Sequence, residues 1–82
     1  MKASDIEKTL RDELHRIAPE IDIAEIDQSA DLREEMDIDS MDFLTLVTAL
    51  GKRLTLEMPE MDYPHMMTFD SLLGYLQRKT RK

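Results

Sequence analysis

The chain has 82 residues, a formal charge of -7 at neutral pH and no cysteine. That length bounds it to one domain, residues 1–82, with a single core and modest stability. The missing cysteine excludes a disulfide framework, a thiolate zinc site and any protein thiol able to carry an acyl group, and no apolar run reaches membrane-spanning length.

The opening stretch Met1-Lys2-Ala3-Ser4-Asp5 lacks the apolar core of a signal peptide, so the expected compartment is the cytoplasm. A first helix is predicted from about Ser4 to Ile17, with Ser4-x-x-Glu7 as a capping box and Ile6, Leu10, Leu14 and Ile17 on one buried face. His15 falls opposite that face with no second His or Cys at ligand spacing, and a metal site is not expected. Ala18-Pro19 ends the helix, because proline restricts the residue before it and cannot donate into the ladder.

A long loop follows, anchored by the scattered Ile21, Ile23, Ile26 and Leu32, with a turn of helix expected around Asp31 to Glu35. Between Glu20 and Asp42 ten acidic residues stand against one base, Arg33. Such a stretch repels nucleic acid and steers basic partners. The basic end, Arg78, Lys79, Arg81 and Lys82, reverses the sign, complements the end of a last helix, and is expected to fray over residues 78–82.

At Asp37-Ile38-Asp39-Ser40-Met41-Asp42 the acidic loop delivers one serine onto the first turn of an amphipathic helix. Asp39 is placed to cap the free N–H groups, with Asp42 completing a capping-box-like pair. Ser40 then sits at the positively polarised helix end, where a phosphate is favoured, although serine is also a common second capping residue. No His accompanies it and no nucleophile elbow surrounds it, so Ser40 reads as a group to be modified rather than a catalyst.

This second helix is predicted from Ser40 to about Leu54. Phe43, Leu46, Val47, Leu50 and Leu54 form its core face with Leu44 at the margin, while Met41, Thr45, Thr48 and Lys52 form the opposite stripe. Glu60 to His65 forms at most a short third helix, expected to be the loosest element because Pro64 removes a donor inside it. Thr68 caps the last helix, whose apolar face is Phe69, Leu72, Leu73 and Leu76.

Asp39-Ser40-Met41 with apolar Phe43-Leu44 and Leu46-Val47 resembles the D-S-L attachment site of acyl carrier proteins. Ala30 to Met36 resembles that family's approach to the site, Leu56-Glu57-Met58-Pro59 its x-E-I-P turn, and Thr68-Phe69 the start of its last helix, so nearly the whole chain is covered. Pattern and resemblance together give an all-α four-helix bundle of acyl-carrier type, with a long loop after helix one and a short third helix.

The resemblance implies a monomeric carrier without catalytic activity, in which a phosphopantetheinyl transferase attaches 4'-phosphopantetheine from coenzyme A to Ser40. The arm's thiol would carry acyl groups between acyl-transferring or ligase enzymes of fatty acid, lipid or polyketide-type biosynthesis. Asp39, Met41, Asp42, Thr45, Thr48 and Lys52 are the expected partner-recognition residues. Leu46, Met58, Met61 and Met66 are the candidate lining of an acyl cleft, methionine being easily repacked, with ordinary core filling by the methionines as the alternative weighed ahead of it.

Two departures stand out. The face that is usually acidic carries Thr45, Thr48 and Lys52 with Arg53 adjacent, and the usual Gly-Ala before the D-S pair is Asp37-Ile38. The altered face suits a peptidyl or aminoacyl carrier of a non-ribosomal or ligase system as the alternative, and a helical adaptor with Asp39-Ser40 as a mere cap is a third. An EF-hand is excluded, since Met41 stands where an oxygen ligand is needed and Asp42 where glycine is required.

Overall fold

The computed structural model describes residues 2–80, and all regular structure in them is helical. In chain order the elements are α1 (Ala3–Ile17), a short 3-10 turn (Ile23–Glu25), α2 (Leu32–Met36), α3 (Ser40–Leu54), a 3-10 helix (Glu60–Met66) and α4 (Phe69–Thr80). The three long helices and the short third element are those the sequence predicts, and α2 is the expected turn near Asp31. Helix α1 packs against both α3 and α4, and the 3-10 helix lies against α4.

The periodic stripes meet in one core. Ile6, Leu10 and Leu14 from α1 pack with Phe43, Leu46, Val47, Leu50 and Leu54 from α3 and with Phe69, Leu72, Tyr75 and Leu76 from α4. Leu32 and Met36 close it beneath the long loop, and Met66 closes it beneath the 3-10 helix. Leu44 does not join, because its position on α3 turns it outward to solvent.

The capping box expected at Ser4 is absent. Helix α1 starts one residue earlier, Lys2 occupies the cap position without a side-chain bond, and the Glu7 carboxylate is held by Arg11 at 2.9 Å instead of reaching back. At α4 the capping box does form: the Ser71 N–H donates to Thr68 Oγ1 at 3.0 Å, and the Thr68 N–H donates to Ser71 Oγ at 3.1 Å. Arg78 and Lys79 are helical, with Lys79 Nζ 5.5 Å from the Tyr75 ring, whereas Arg81 and Lys82, where fraying is expected, lie outside the described residues.

The long loop is tied down by backbone and side-chain bonds as well as by its apolar anchors. The Leu32 N–H donates to the Met67 carbonyl at 2.7 Å and the Asp70 N–H to the Gln28 carbonyl at 3.0 Å, so the loop is fixed to the start of α4. Asp27 accepts from both the hydroxyl and the N–H of Ser29, which holds its carboxyl below the ordinary range. The 3-10 helix accommodates Pro64 and is anchored at three points: buried Met66, the Tyr63 ring set edge-on against Phe43 at 5.9 Å, and a 2.7 Å bond from the Tyr75 hydroxyl to Asp62.

Candidate functional site

Helix α2 ends in a Schellman turn that determines where α3 begins. The Asp37 N–H donates to the carbonyls of Arg33 and Glu34, and the Ile38 N–H donates to the Arg33 carbonyl at 3.0 Å. This turn needs a left-handed residue, and Asp37 adopts φ 53°, ψ 47° where glycine is the usual choice. Two residues later Asp39 caps α3, its Oδ1 accepting the Asp42 N–H at 2.9 Å. Only this arm of the expected reciprocal pair is formed.

Ser40 is therefore the first residue of a 15-residue helix, and its side chain is exposed. Its hydroxyl makes no hydrogen bond among the described residues, because Asp39 already does the capping. The N–H groups of Ser40 and Met41 likewise find no acceptor there. The helix dipole and these free donors favour negative charge at this end.

Other serines differ. The Ser29 hydroxyl is bonded to Asp27 at 2.8 Å, and the Ser71 hydroxyl is locked in the α4 capping box. Ser4 lies exposed inside the first turn of α1.

An open groove of about 320 Å³ is lined by Ser40 together with Asp31, Arg33, Glu34, Asp37, Ile38 and Asp39. Beyond it, the outer face of α3 presents Met41 (69% exposed), Asp42, Leu44, Thr45, Thr48 and Lys52. The predicted recognition residues are thus on one accessible surface. Thr45 is partly engaged, donating its hydroxyl to the Met41 carbonyl at 3.0 Å. Arg53 turns away from this face to pair with Glu13 on α1 at 2.8 Å.

The four residues expected to line an acyl cleft are not brought together. Leu46 and Met66 are fully buried core, and Met61 is 81% exposed on the outside of the 3-10 helix. Only Met58 borders a groove, of about 270 Å³, formed between α3 and the following segment with Val47, Thr48, Gly51, Leu56 and Tyr63. Helical phase explains the difference, since Val47 and Gly51 lie toward the groove while Leu46 points into the bundle. Tyr63 could not be read as a wall because its orientation depends on the 3-10 geometry around Pro64.

Among the described residues, no group of three or more His, Cys, Asp or Glu is placed to hold a metal ion, and no helix is long and apolar enough to cross a membrane. The described residues are all-α, with Ser40 exposed at the start of α3. The family model described as phosphopantetheine attachment site matches residues 5–76, and the chain belongs to that family of carrier domains. No curated protein matches the chain.

As a member it is a carrier rather than an enzyme, it carries covalently attached 4'-phosphopantetheine, and it works with a phosphopantetheinyl transferase and partner enzymes. The head of α3 fits such a group: an exposed serine whose hydroxyl has no partner among the described residues, backbone donors likewise unpaired there, and an open groove lined by the same serine.

Proposed function

We propose that Ser40 is the attachment residue and that the chain is a monomeric acyl carrier protein of the cytoplasm, serving fatty acid, lipid or polyketide-type biosynthesis. The observation that carries the assignment is the unengaged Ser40 hydroxyl at the start of α3. Within residues 5–76 the only other serines are Ser29 and Ser71, and both hydroxyls are held in local hydrogen bonds. An adaptor reading, with Ser40 as a cap, is disfavoured because Asp39 supplies the cap.

In the transfer, Ser40 loses its hydroxyl proton to the transferase or solvent and its Oγ bonds to the phosphorus of the pantetheine arm of coenzyme A. The pyrophosphate bond breaks, adenosine 3',5'-bisphosphate leaves, and a phosphodiester remains on Ser40. When bound, the arm supplies the thiol that the cysteine-free chain lacks, and acyl groups ride on it as thioesters. The protein's own part is to hold the base of the arm at a helix terminus and to present Asp39, Met41, Asp42, Thr45, Thr48 and Lys52 to its enzymes.

One observation supports an aminoacyl or peptidyl cargo as a second reading. The exposed stripe of α3 offers Thr45, Thr48 and Lys52, which does not complement the strongly basic partner surfaces that an acidic stripe would. Both readings share the first test. Incubation with coenzyme A, magnesium and a broad-specificity transferase should add one phosphopantetheine by intact mass, and Ser40→Ala should abolish the gain. Loading of Ser40→Ala, or of another serine, would overturn the assignment.

A further inference from the structure

Arg33 is the one base between Glu20 and Asp42, and the fold sets it in the lining of the same groove as Ser40. Its position is fixed by backbone chemistry. Because the Ile38 N–H donates to the Arg33 carbonyl at 3.0 Å, α2 and the approach to Ser40 form one hydrogen-bonded unit. The guanidinium is held loosely by comparison. Its Nε lies 3.8 Å from Asp31 Oδ1, an oxygen that already accepts the Arg33 N–H at 2.9 Å. The two terminal nitrogens make no hydrogen bond among the described residues, and the side chain is half-buried.

The same groove is lined by the acidic residues Asp31, Glu34, Asp37 and Asp39, with one oxygen each of Asp31 and Asp39 accepting a backbone N–H. A phosphodiester on Ser40 places a further negative charge among them, which the helix terminus offsets only in part. A guanidinium presents paired donors that match two phosphate oxygens, and Arg33 has two such donors free. We infer that Arg33 is a positioning residue of the loaded carrier: its guanidinium leaves Asp31 and hydrogen-bonds the phosphodiester on Ser40, fixing the base of the arm and screening it from the acidic wall. This rests on Ser40 being the attachment residue.

The test uses the loaded full-length chain as wild type, Arg33→Met and Arg33→Lys, each checked by intact mass. Failure of the wild type to load at Ser40 bears on the attachment residue; the present inference is read from proteins that have loaded. In wild type, phosphorus NMR should give a phosphodiester resonance displaced from that of the same protein unfolded in urea. The Arg33 Nε–H resonance should shift on loading and stay unmoved in unloaded Ser40→Ala. Arg33→Met should return the phosphorus resonance toward the unfolded position, with Arg33→Lys retaining part of the displacement. A phosphorus resonance identical in wild type and Arg33→Met, with the Arg33 Nε–H unmoved on loading, would overturn the inference. Slower loading of Arg33→Met with an unchanged phosphorus resonance would overturn it too, since Arg33 would then serve the transferase.

Discussion

Replacing Arg53 by methionine should destabilise the domain well beyond a surface change. Glu13 is 1% exposed, and its Oε2 lies 2.8 Å from Arg53 Nη1. Its other cationic neighbour, Arg16, is 3.7 Å away and largely in solvent. At an effective dielectric near 20, the closer pair attracts by about 6 kcal/mol before desolvation. Removing one partner of a buried pair costs roughly 3–5 kcal/mol in general. Arg53 is itself 41% exposed and Arg16 remains, so the expected loss is about 2–3 kcal/mol. A chain of this length has about 4–12 kcal/mol in total. Thermal unfolding followed by circular dichroism should therefore fall by roughly 10–20 °C. Arg16→Met should cost under about 0.5 kcal/mol, while Glu13→Leu with Arg53→Met should recover most of the loss. An Arg53→Met loss no larger than that of Arg16→Met would refute the reasoning.

Division of labour at the head of α3 predicts that Asp39→Ala costs about 1 kcal/mol in urea unfolding, as for a lost cap, whereas Ser40→Ala changes stability by less than about 0.5 kcal/mol. Equal losses would contradict the assignment of the cap to Asp39. Thr55 ends α3 at φ 56°, a strained conformation for a β-branched residue, so Thr55→Gly should gain up to about 1 kcal/mol by the same measurement. The Tyr75 phenol is pushed up to about 12 by burial first and then by the hydrogen bond and charge of Asp62. Its pKa is higher folded than unfolded, so its contribution to stability is intact below about pH 10 and is lost as the pH rises from there to about 12. Phenolate absorbance in native and urea-unfolded protein checks this: equal midpoints for Tyr75 would refute it, and Tyr75→Phe should remove that part of the alkaline loss.

The long helices were legible because their apolar spacing and end signals agreed: Phe43 to Leu54 on one face, Pro19 after one helix and Thr68 before another. The start of α1 misled because Ser4 and Glu7 satisfy a cap pattern locally, yet Arg11 one turn on competes for the same carboxylate. Ser40 could be found because a cap residue, a serine and an apolar face occur in consecutive positions. The expected cleft lining failed because composition does not place a methionine. Methionine is equally suited to a core, a wall and a surface, and Met66, Met58 and Met61 occupy one of each. Arg53 on Glu13 and Tyr75 on Asp62 join residues 40 and 13 positions apart, and no local pattern encodes such pairings.

These pairings change what α3 can offer to the enzymes proposed to meet it. In the sequence, Lys52 and Arg53 together make the end of the helix look basic. In the fold Arg53 is directed to Glu13, and Lys52 is left as the one cation of the exposed stripe. At the other end, one Asp39 oxygen is engaged by the Asp42 N–H and the Thr45 hydroxyl by the Met41 carbonyl. The groups left free are the apolar Met41 and Leu44 near Ser40, the Asp42 carboxylate, and Thr48 and Lys52 two to three turns further along. A matching partner surface therefore needs an apolar contact close to the loaded serine and an acceptor or carboxylate at the far end. If α3 is the docking surface proposed above, a uniformly basic partner would meet Lys52 with like charge, and reversing that charge with Lys52→Glu should improve turnover by enzymes built for an acidic helix.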